Sequence, residues 1–130
     1  MKFNSLIPEL TVRDVERTKR FYTDILGFRM EYERPEDGFV FLSLGENQLM
    51  FEQEREDVWR TGELEYPFGR GVNFEMTVPD VEALYRRVTE AGVAPFRELR
   101  ESRYRSGEEI IAQKEFLVQD PDGYLLRFTD

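Results

Sequence analysis

The stretch TVRDVE at residues 11–16 decides the fold, because it returns 66 residues later as TVPDVE at residues 77–82. In both copies the first two residues end a strand-like segment, and the aspartate, Asp14 or Asp80, is placed to cap a helix with its carboxylate. An amphipathic helical pattern follows each aspartate and stops at a glycine, Gly27 or Gly92. The sequence therefore predicts an internal repeat in which each copy begins with a strand and a capped helix.

Each half continues with three strand-like runs that are separated by turn signals. In the first half the runs are residues 29–33, 39–44 and 48–53. In the second half they are residues 94–99, 108–119 and 124–129, with DPDG at 120–123 as the last turn. We therefore predict an α+β fold in which two βαβββ modules form a curved mixed sheet.

The repeat indicates one domain, residues 1–130, built from two modules and a connection. Module one spans about residues 1–53, a linker loop about 54–71, and module two about 72–130. The linker is polar and aromatic, and residues 100–107 are charged and predict a second long loop. Long loops in compact domains are more often functional than decorative.

Composition excludes several kinds of chemistry. The chain has no Cys and no His, so disulfides, thiolate nucleophiles, zinc ribbons, iron–sulfur clusters and imidazole bases are excluded. The net charge of −9 argues against nucleic acid and favours a cationic partner, although an acidic solvated surface alone gives the same charge. With no long apolar run and no signal-peptide pattern, we expect a cytoplasmic protein without membrane contact.

Several motifs taken together resemble the vicinal oxygen chelate superfamily. They are the V-x-D-V of the first repeat, FY at 21–22, LGF at 26–28 and the closing DPDGYLLRF at 120–128. The opening IPELTVRDV at 7–15 and the long linker are similar to the glyoxalase/bleomycin resistance branch. This resemblance implies a non-catalytic protein that sequesters a cationic planar antibiotic of the bleomycin type. It also implies a homodimer that exchanges its N-terminal strand, with Pro8 as the hinge.

The resemblance also bears on metal binding. Metal-using members place His or Glu at four positions, which in this sequence are Ile7, Met50, Asn73 and Arg127. These side chains do not suit a divalent cation, so the resemblance implies no metal and no cofactor. A hard-cation site built from Glu9, Glu52 and Glu75 is the alternative, against solvated or arginine-paired glutamates.

Strand alternation separates a core face from a face that we name the cup face. The predicted core residues are Leu6, Pro8, Leu10, Val12, Leu49, Phe51, Phe74, Met76, Val78, Leu126 and Phe128. The predicted cup-face residues are Ile7, Glu9, Thr11, Gln48, Met50, Glu52, Asn73, Glu75, Thr77, Leu125, Arg127 and Thr129.

Candidate ligand-binding residues come from the cup face and from the aromatic side chains of the loops and the first meander. They are Tyr32, Phe39, Met50, Glu52, Trp59, Phe68, Asn73, Glu75, Tyr104 and Arg127. Trp59, the only Trp, offers a stacking surface for a planar ligand, or it caps the core edge or fills a subunit interface. Tyr32 and Phe39 are equally consistent with core positions. Antibiotic-binding relatives carry a groove Trp close to the position of Ala112, so the resemblance implies that this stacking side chain is missing here.

Two functional classes remain from the sequence. The first is stoichiometric binding of a small molecule, either a bleomycin-type antibiotic or an unknown metabolite. The second is an enzyme of the same fold, dependent on a carboxylate-bound metal or using Glu9 or Glu75 as a base. Loss of the four ligand positions and of every His favours binding.

Overall fold

The computed structural model describes every residue, Met1–Asp130, as two compact units. The first unit is Met1–Phe68 and the second is Gly69–Asp130. Most of the segment predicted as a linker thus belongs to the first unit.

The first unit is a four-stranded sheet with one helix. Its elements are β1 (Glu9–Val12), α1 (Val15–Arg20, continued by a π-helical turn at Phe21–Ile25), β2 (Arg29–Arg34), β3 (Phe39–Leu44) and β4 (Asn47–Gln53). The strand order is β1-β4-β3-β2. β1 runs parallel to β4, and the other neighbours are antiparallel.

The second unit repeats this plan. Its elements are β5 (Asn73–Thr77), α2 (Val81–Glu90), β6 (Arg97–Ser106), β7 (Glu109–Gln119) and β8 (Leu125–Thr129). The order β5-β8-β7-β6, with β5 parallel to β8, matches the first unit strand for strand. The predicted α+β architecture of two βαβββ modules is confirmed.

Both helices begin at the aspartates of the repeated motif. The Asp14 carboxylate accepts hydrogen bonds from the backbone N–H groups of Glu16 and Arg17 at 3.1 and 3.2 Å. The Asp80 carboxylate accepts one from Ala83 at 3.0 Å. Such a cap contributes about 1 kcal/mol to helix stability. No helix in the structure has the length and apolar character needed to cross a membrane.

Burial follows the predicted alternation in most of both sheets, with four corrections. Pro8, predicted as core, is only half-buried and precedes β1, and Thr129, predicted for the cup face, is fully buried. Leu10 and Val12 are buried in β1, as are the predicted core residues of β4 and β8. The prediction for Leu6 is wrong, because β1 begins only at Glu9 and the Leu6 side chain is 82% exposed. Phe74 is only half-buried, although Met76 and Val78 after it are core.

The predicted loop at residues 100–107 is wrong, because residues 100–106 belong to β6 and only Gly107 lies in a turn. They pair with β7 from Arg100 opposite Glu115 to Ser106 opposite Glu109. The chain reverses at Gly107, whose φ of 64° is the left-handed conformation that glycine adopts most easily. Backbone pairing holds this hairpin even though its charged side chains give no apolar alternation.

The last turn forms as predicted. The buried Asp120 carboxylate accepts backbone hydrogen bonds from Asp122 at 2.9 Å and from Tyr124 at 3.0 Å. An aspartate that bonds to the backbone two residues on is a common turn device. This turn fixes the start of β8.

Two glycines in the second unit allow a matched test of packing. Gly69 and Gly71 both have positive φ, 72° and 86°, but only at Gly69 would a Cβ atom collide, 2.6 Å from Cδ1 of Tyr124. We expect Gly71→Ala to lower the free energy of unfolding by about 1 kcal/mol, the cost of a left-handed alanine. Gly69→Ala should cost a further 1–3 kcal/mol or so from overpacking. Urea denaturation measures both, and equal losses would contradict the packing argument.

Candidate functional site

The first unit carries a concavity of about 400 Å³. Three of its strands and the segment after β4 supply the walls. The lining residues are Glu9, Thr11, Arg34, Glu52, Arg55, Asp57, Val58 and Trp59.

Strand register explains why these side chains meet. Thr11 lies opposite Glu52 in the parallel pair β1–β4, and Phe39 lies opposite Glu52 in the antiparallel pair β3–β4. Directly opposed residues point to the same side of a sheet, and so do residues two apart on one strand. Glu9, two residues before Thr11, therefore lies on the same cup face.

Arg55 neutralises much of the acidity of the concavity. Its guanidinium forms ion pairs with Glu52 and with Asp57, each at 2.6 Å, and donates to the backbone carbonyl of Asp37 at 2.8 Å. The hydrogen bond to Asp57 is the main cause of the raised pKa of Arg55. Two of the three acidic side chains in the wall are thus held by one arginine.

Glu9 is the acidic side chain of the concavity that makes no hydrogen bond or ion pair. Burial raises the pKa of the Glu9 carboxyl above its usual value, and the negative charge of Glu52 raises it further. The positive charge of Arg34 partly opposes this rise. Glu9 is therefore the carboxylate that a cationic ligand would find available.

An aromatic stack forms the neighbouring part of the cup face. The rings of Tyr32 and Phe41 stack with centroids 5.3 Å apart, and Tyr32 is 5.8 Å from Phe39. The Arg34 guanidinium lies 3.9 Å from the centroid of the buried Phe39 ring. Of the two aromatic candidates, Tyr32 is half-buried and Phe39 packs beneath Arg34.

Trp59 stands on the wall of the concavity with 93% of its surface exposed. The segment that carries it is tied down by Arg13, which pairs with Glu54 at 3.2 Å and donates to the carbonyl of Leu64 at 3.1 Å. The Arg13 guanidinium also lies 5.0 Å from the ring centroid of Phe68. Trp59 is thus free to stack on a ligand, whereas the candidate Phe68 is buried and does not line the concavity.

Four other candidates lie in the second unit. Asn73 and Glu75 are exposed on β5, and Arg127 on β8 forms an ion pair with Glu75 at 2.7 Å. Tyr104 on β6 donates its hydroxyl hydrogen to the carboxylate of Glu115. The tenth candidate, Met50, is half-buried in the first unit opposite Glu9.

Sequence reasoning left several of these side chains out of the candidate set. Arg34, Arg55 and Asp57 line the concavity, but charged residues at a strand end and in a polar segment give no distinguishing signal. Glu115 is buried on β7. Its place directly before the apolar run Phe116–Val118 is the sequence signal that could have predicted this burial.

The residues at the superfamily's metal positions do not fit a metal centre. Met50 offers a thioether, and the Arg127 guanidinium already holds Glu75 at 2.7 Å, so a second cation there would be repelled. Nowhere in the chain do three His, Cys, Asp or Glu side chains converge in a way that could hold a metal ion.

The sequence of this chain is similar to a known protein family and to several characterised proteins. A profile described as the Glyoxalase/Bleomycin resistance protein/Dioxygenase superfamily matches residues 3–128. A bleomycin resistance protein from Geobacillus stearothermophilus is 26% identical over 131 residues, covering 94% of this chain and 92% of that protein. A lactoylglutathione lyase from Haemophilus influenzae is 30% identical over 124 residues, covering 93% of this chain and 87% of that protein.

Among solved structures, TioX from Micromonospora sp. ML1 is similar with a TM-score of 0.75. It is 22% identical, and the match covers 98% of each chain. At this identity the likeness shows the fold alone.

The electrostatic repulsion between the carboxylates of Glu9 and Glu52 gives the concavity a pH dependence that can be measured. We expect the Glu9 carboxyl, followed by carbon-detected NMR, to titrate above the usual value of 4.5. Glu52→Gln should lower the Glu9 pKa, because it removes the neighbouring negative charge. Glu63→Gln, an exposed change that does not touch the lining, is the control. A Glu9 pKa that does not respond to Glu52→Gln would show that the two carboxylates are not coupled.

Proposed function

The chain belongs to the Glyoxalase/Bleomycin resistance protein/Dioxygenase superfamily, and from that premise we propose that it is a non-catalytic binding protein for a cationic, planar small molecule of the bleomycin type. It acts by holding the ligand stoichiometrically in the concavity of the first unit. A resistance protein of this kind protects by sequestration and needs no turnover.

The observation that carries the proposal is that Glu9 and Trp59 line the same concavity. Glu9 supplies an anionic acceptor with no protein partner, and Trp59 supplies an exposed planar surface. A ligand with a cationic group beside a flat ring system satisfies both at once. The volume of about 400 Å³ lies in the range of small-molecule pockets.

The charge pattern explains why the ligand should be cationic. Arg55 is committed to Glu52 and Asp57, so it offers little attraction to an anion. Arg34 is likewise engaged, with Asp37 at 3.1 Å and with the Phe39 ring. Partial burial disfavours the charged form of the Glu9 carboxyl, and a cation bound next to it would offset this cost.

A second candidate function is an enzymatic one, favoured by the 30% identity to a lactoylglutathione lyase. Glu9 would then act as the base, since the residues at the metal positions do not fit a metal. Incubation with methylglyoxal and glutathione, monitored for lactoylglutathione, tests this function. Turnover that Glu9→Gln abolishes would replace the binding proposal.

Bleomycin titration tests the binding proposal directly. We expect bleomycin to quench Trp59 fluorescence and to raise the melting temperature of the protein by mass action. Trp59→Ala, followed by calorimetry, should weaken binding by about 1–3 kcal/mol, by analogy with base–aromatic stacking. The melting temperature of the free protein should hardly change, because the side chain is exposed.

Tyr66→Ala is the matched control, since Tyr66 is an exposed aromatic of the same segment that does not line the concavity. Equal loss of affinity in both variants would contradict stacking on Trp59. Absence of quenching and of a thermal shift at high bleomycin concentration would reject the antibiotic, and a metabolite screen by thermal shift would follow.

Binding of a cation should depend on the ionisation of Glu9. Because the pKa of Glu9 is raised, affinity should be fully present well above that pKa and should fall as the pH is lowered through it. Glu9→Gln should weaken bleomycin binding about tenfold at neutral pH and flatten this pH dependence. Calorimetric titration at several pH values measures both effects. An unchanged pH profile in Glu9→Gln would assign the cation to another group.

We also propose that the protein is a homodimer. The N-terminal segment supports this, because Met1, Phe3 and Leu6 expose apolar side chains before β1 begins. Sedimentation at micromolar concentration should give twice the 15.5 kDa mass of one chain. Leu6→Asp should shift the equilibrium toward single chains, and Glu36→Gln at an exposed turn should not. A mass of one chain for the unmodified protein would contradict the dimer.

A further inference from the structure

Glu115 in the second unit is a buried carboxylate outside the concavity described above. It is 2% exposed on β7 and is followed by the buried residues Phe116, Leu117 and Val118. Burying a charged group costs several kcal/mol unless hydrogen bonds and opposite charges compensate it. The contacts of Glu115 therefore decide whether it is compensated.

The compensation is incomplete. Tyr104 donates a hydrogen bond to Oε1 of Glu115. Arg127 Nη1 lies 3.9 Å from Oε2, which is too far for a hydrogen bond, and Oε2 has no other partner. Arg127 turns its Nη2 to Glu75 at 2.7 Å, and its buried Nε also lacks an acceptor. One acceptor and one donor are thus left unsatisfied on neighbouring side chains.

The repeat shows that the fold does not require these charges. Glu9 opposite Met50 in the first unit corresponds to Glu75 opposite Arg127 in the second. Glu115 lies two residues before Leu117, the β7 residue opposite Arg127. In the first unit Phe39 lies two residues before Phe41, the β3 residue opposite Met50. Phe39 therefore takes the position of Glu115. Apolar side chains serve at both positions in one copy of the fold. The polar pair in the other copy is therefore unexplained by folding.

We propose that Glu115 and Arg127 form a second ligand site, which takes a neutral primary carboxamide. The amide N–H would donate to Glu115 Oε2, and the amide oxygen would accept from Arg127 Nε. An ammonium group would satisfy only the carboxylate and leave Nε without an acceptor. A carboxylate ligand would satisfy Nε but would be repelled by Glu115 and Glu75.

Partly exposed side chains surround the proposed site. Tyr104 is 38% exposed, and the side chains of Arg127 and Glu75 are 26% and 40% exposed. Tyr104 lies on β6 in the outer part of the β6–β7 hairpin, where most residues of both strands are exposed. Because Tyr104 donates to Oε1 of Glu115, entry of a ligand would require this side chain to rotate away, a motion of the kind exposed side chains make rapidly.

This site is independent of the function proposed for the first unit. It involves none of the residues that line the concavity, and it would bind a neutral group where Glu9 binds a cation. Failure of bleomycin binding and failure of carboxamide binding are therefore separate results.

Benzamide, benzylamine and benzoate, which share one ring and differ in charge, are the probes for the test. The N–H of Arg127 Nε gives its own cross-peak in a nitrogen–proton NMR spectrum of the labelled full chain. We expect millimolar benzamide to shift this peak in a saturable manner, with neither benzylamine nor benzoate doing so. A shift by benzylamine or benzoate in place of benzamide would overturn the carboxamide assignment. No shift by any probe would show that the pair binds solvent only.

Three variants separate ligand contact from a structural role. Arg127→Lys keeps the charge but removes Nε, and it should weaken benzamide binding at least about tenfold, read from the backbone amides of β8. Tyr104→Phe should bind at least as tightly as the unmodified chain, because it removes the hydroxyl that donates to Oε1 and leaves Oε2 of Glu115 and Nε of Arg127 in place. Glu109→Gln, an exposed change on β7, is the control. Unaltered affinity in Arg127→Lys would overturn the proposal even if the variant folds normally.

Discussion

In each unit the first strand pairs in parallel with the last, and this pairing places the side chains of both sites. Parallel neighbours need a long crossover, which in each unit contains the helix and the second and third strands in chain order. The aspartate caps start the helix directly after the first strand, so the crossover begins at a fixed point. The resulting register sets Glu9 opposite Met50 and Glu75 opposite Arg127.

The same register supports two different chemistries. In the first unit the cup face joins a stack of aromatic rings to a mostly neutralised group of charges, which leaves Glu9 available. In the second unit the corresponding positions hold Glu115 and Arg127, where the first unit has Phe39 and Met50. Because the backbone is repeated while these side chains are not, the shared fold alone does not account for the difference between the units.

Local signals explain which parts of the fold could be predicted from the sequence. The caps at Asp14 and Asp80 and the turn at Asp120 form within a few residues, and all three are confirmed. Alternation also placed the core of the inner strands, because one face is buried against the helix.

The misses concern contacts between distant residues. The charged strand β6 is held by backbone pairing with β7, and the side-chain pattern of its sequence does not predict this pairing. Leu6 is apolar but precedes the first ladder, so its exposure could not be predicted from alternation. In the site, strand alternation predicted Glu9 as a cup-face residue. Its lack of an ion-pair partner depends on the ion pairs that Arg55 and Arg34 form with other carboxylates, and these involve distant residues. Glu115 depends in the same way on Tyr104, eleven residues away along the chain.

The net charge of −9 illustrates why composition alone decides little about the ligand. In the concavity one arginine, Arg55, holds both Glu52 and Asp57, so most of the local charge is already cancelled. What remains for a ligand is a single carboxylate, Glu9, beside an exposed indole. Charges more than about 10 Å from the ligand are largely screened at physiological salt, so the rest of the acidic surface adds to encounter rates more than to affinity. Under the binding proposal, specificity for a cation therefore rests on this one unpaired side chain.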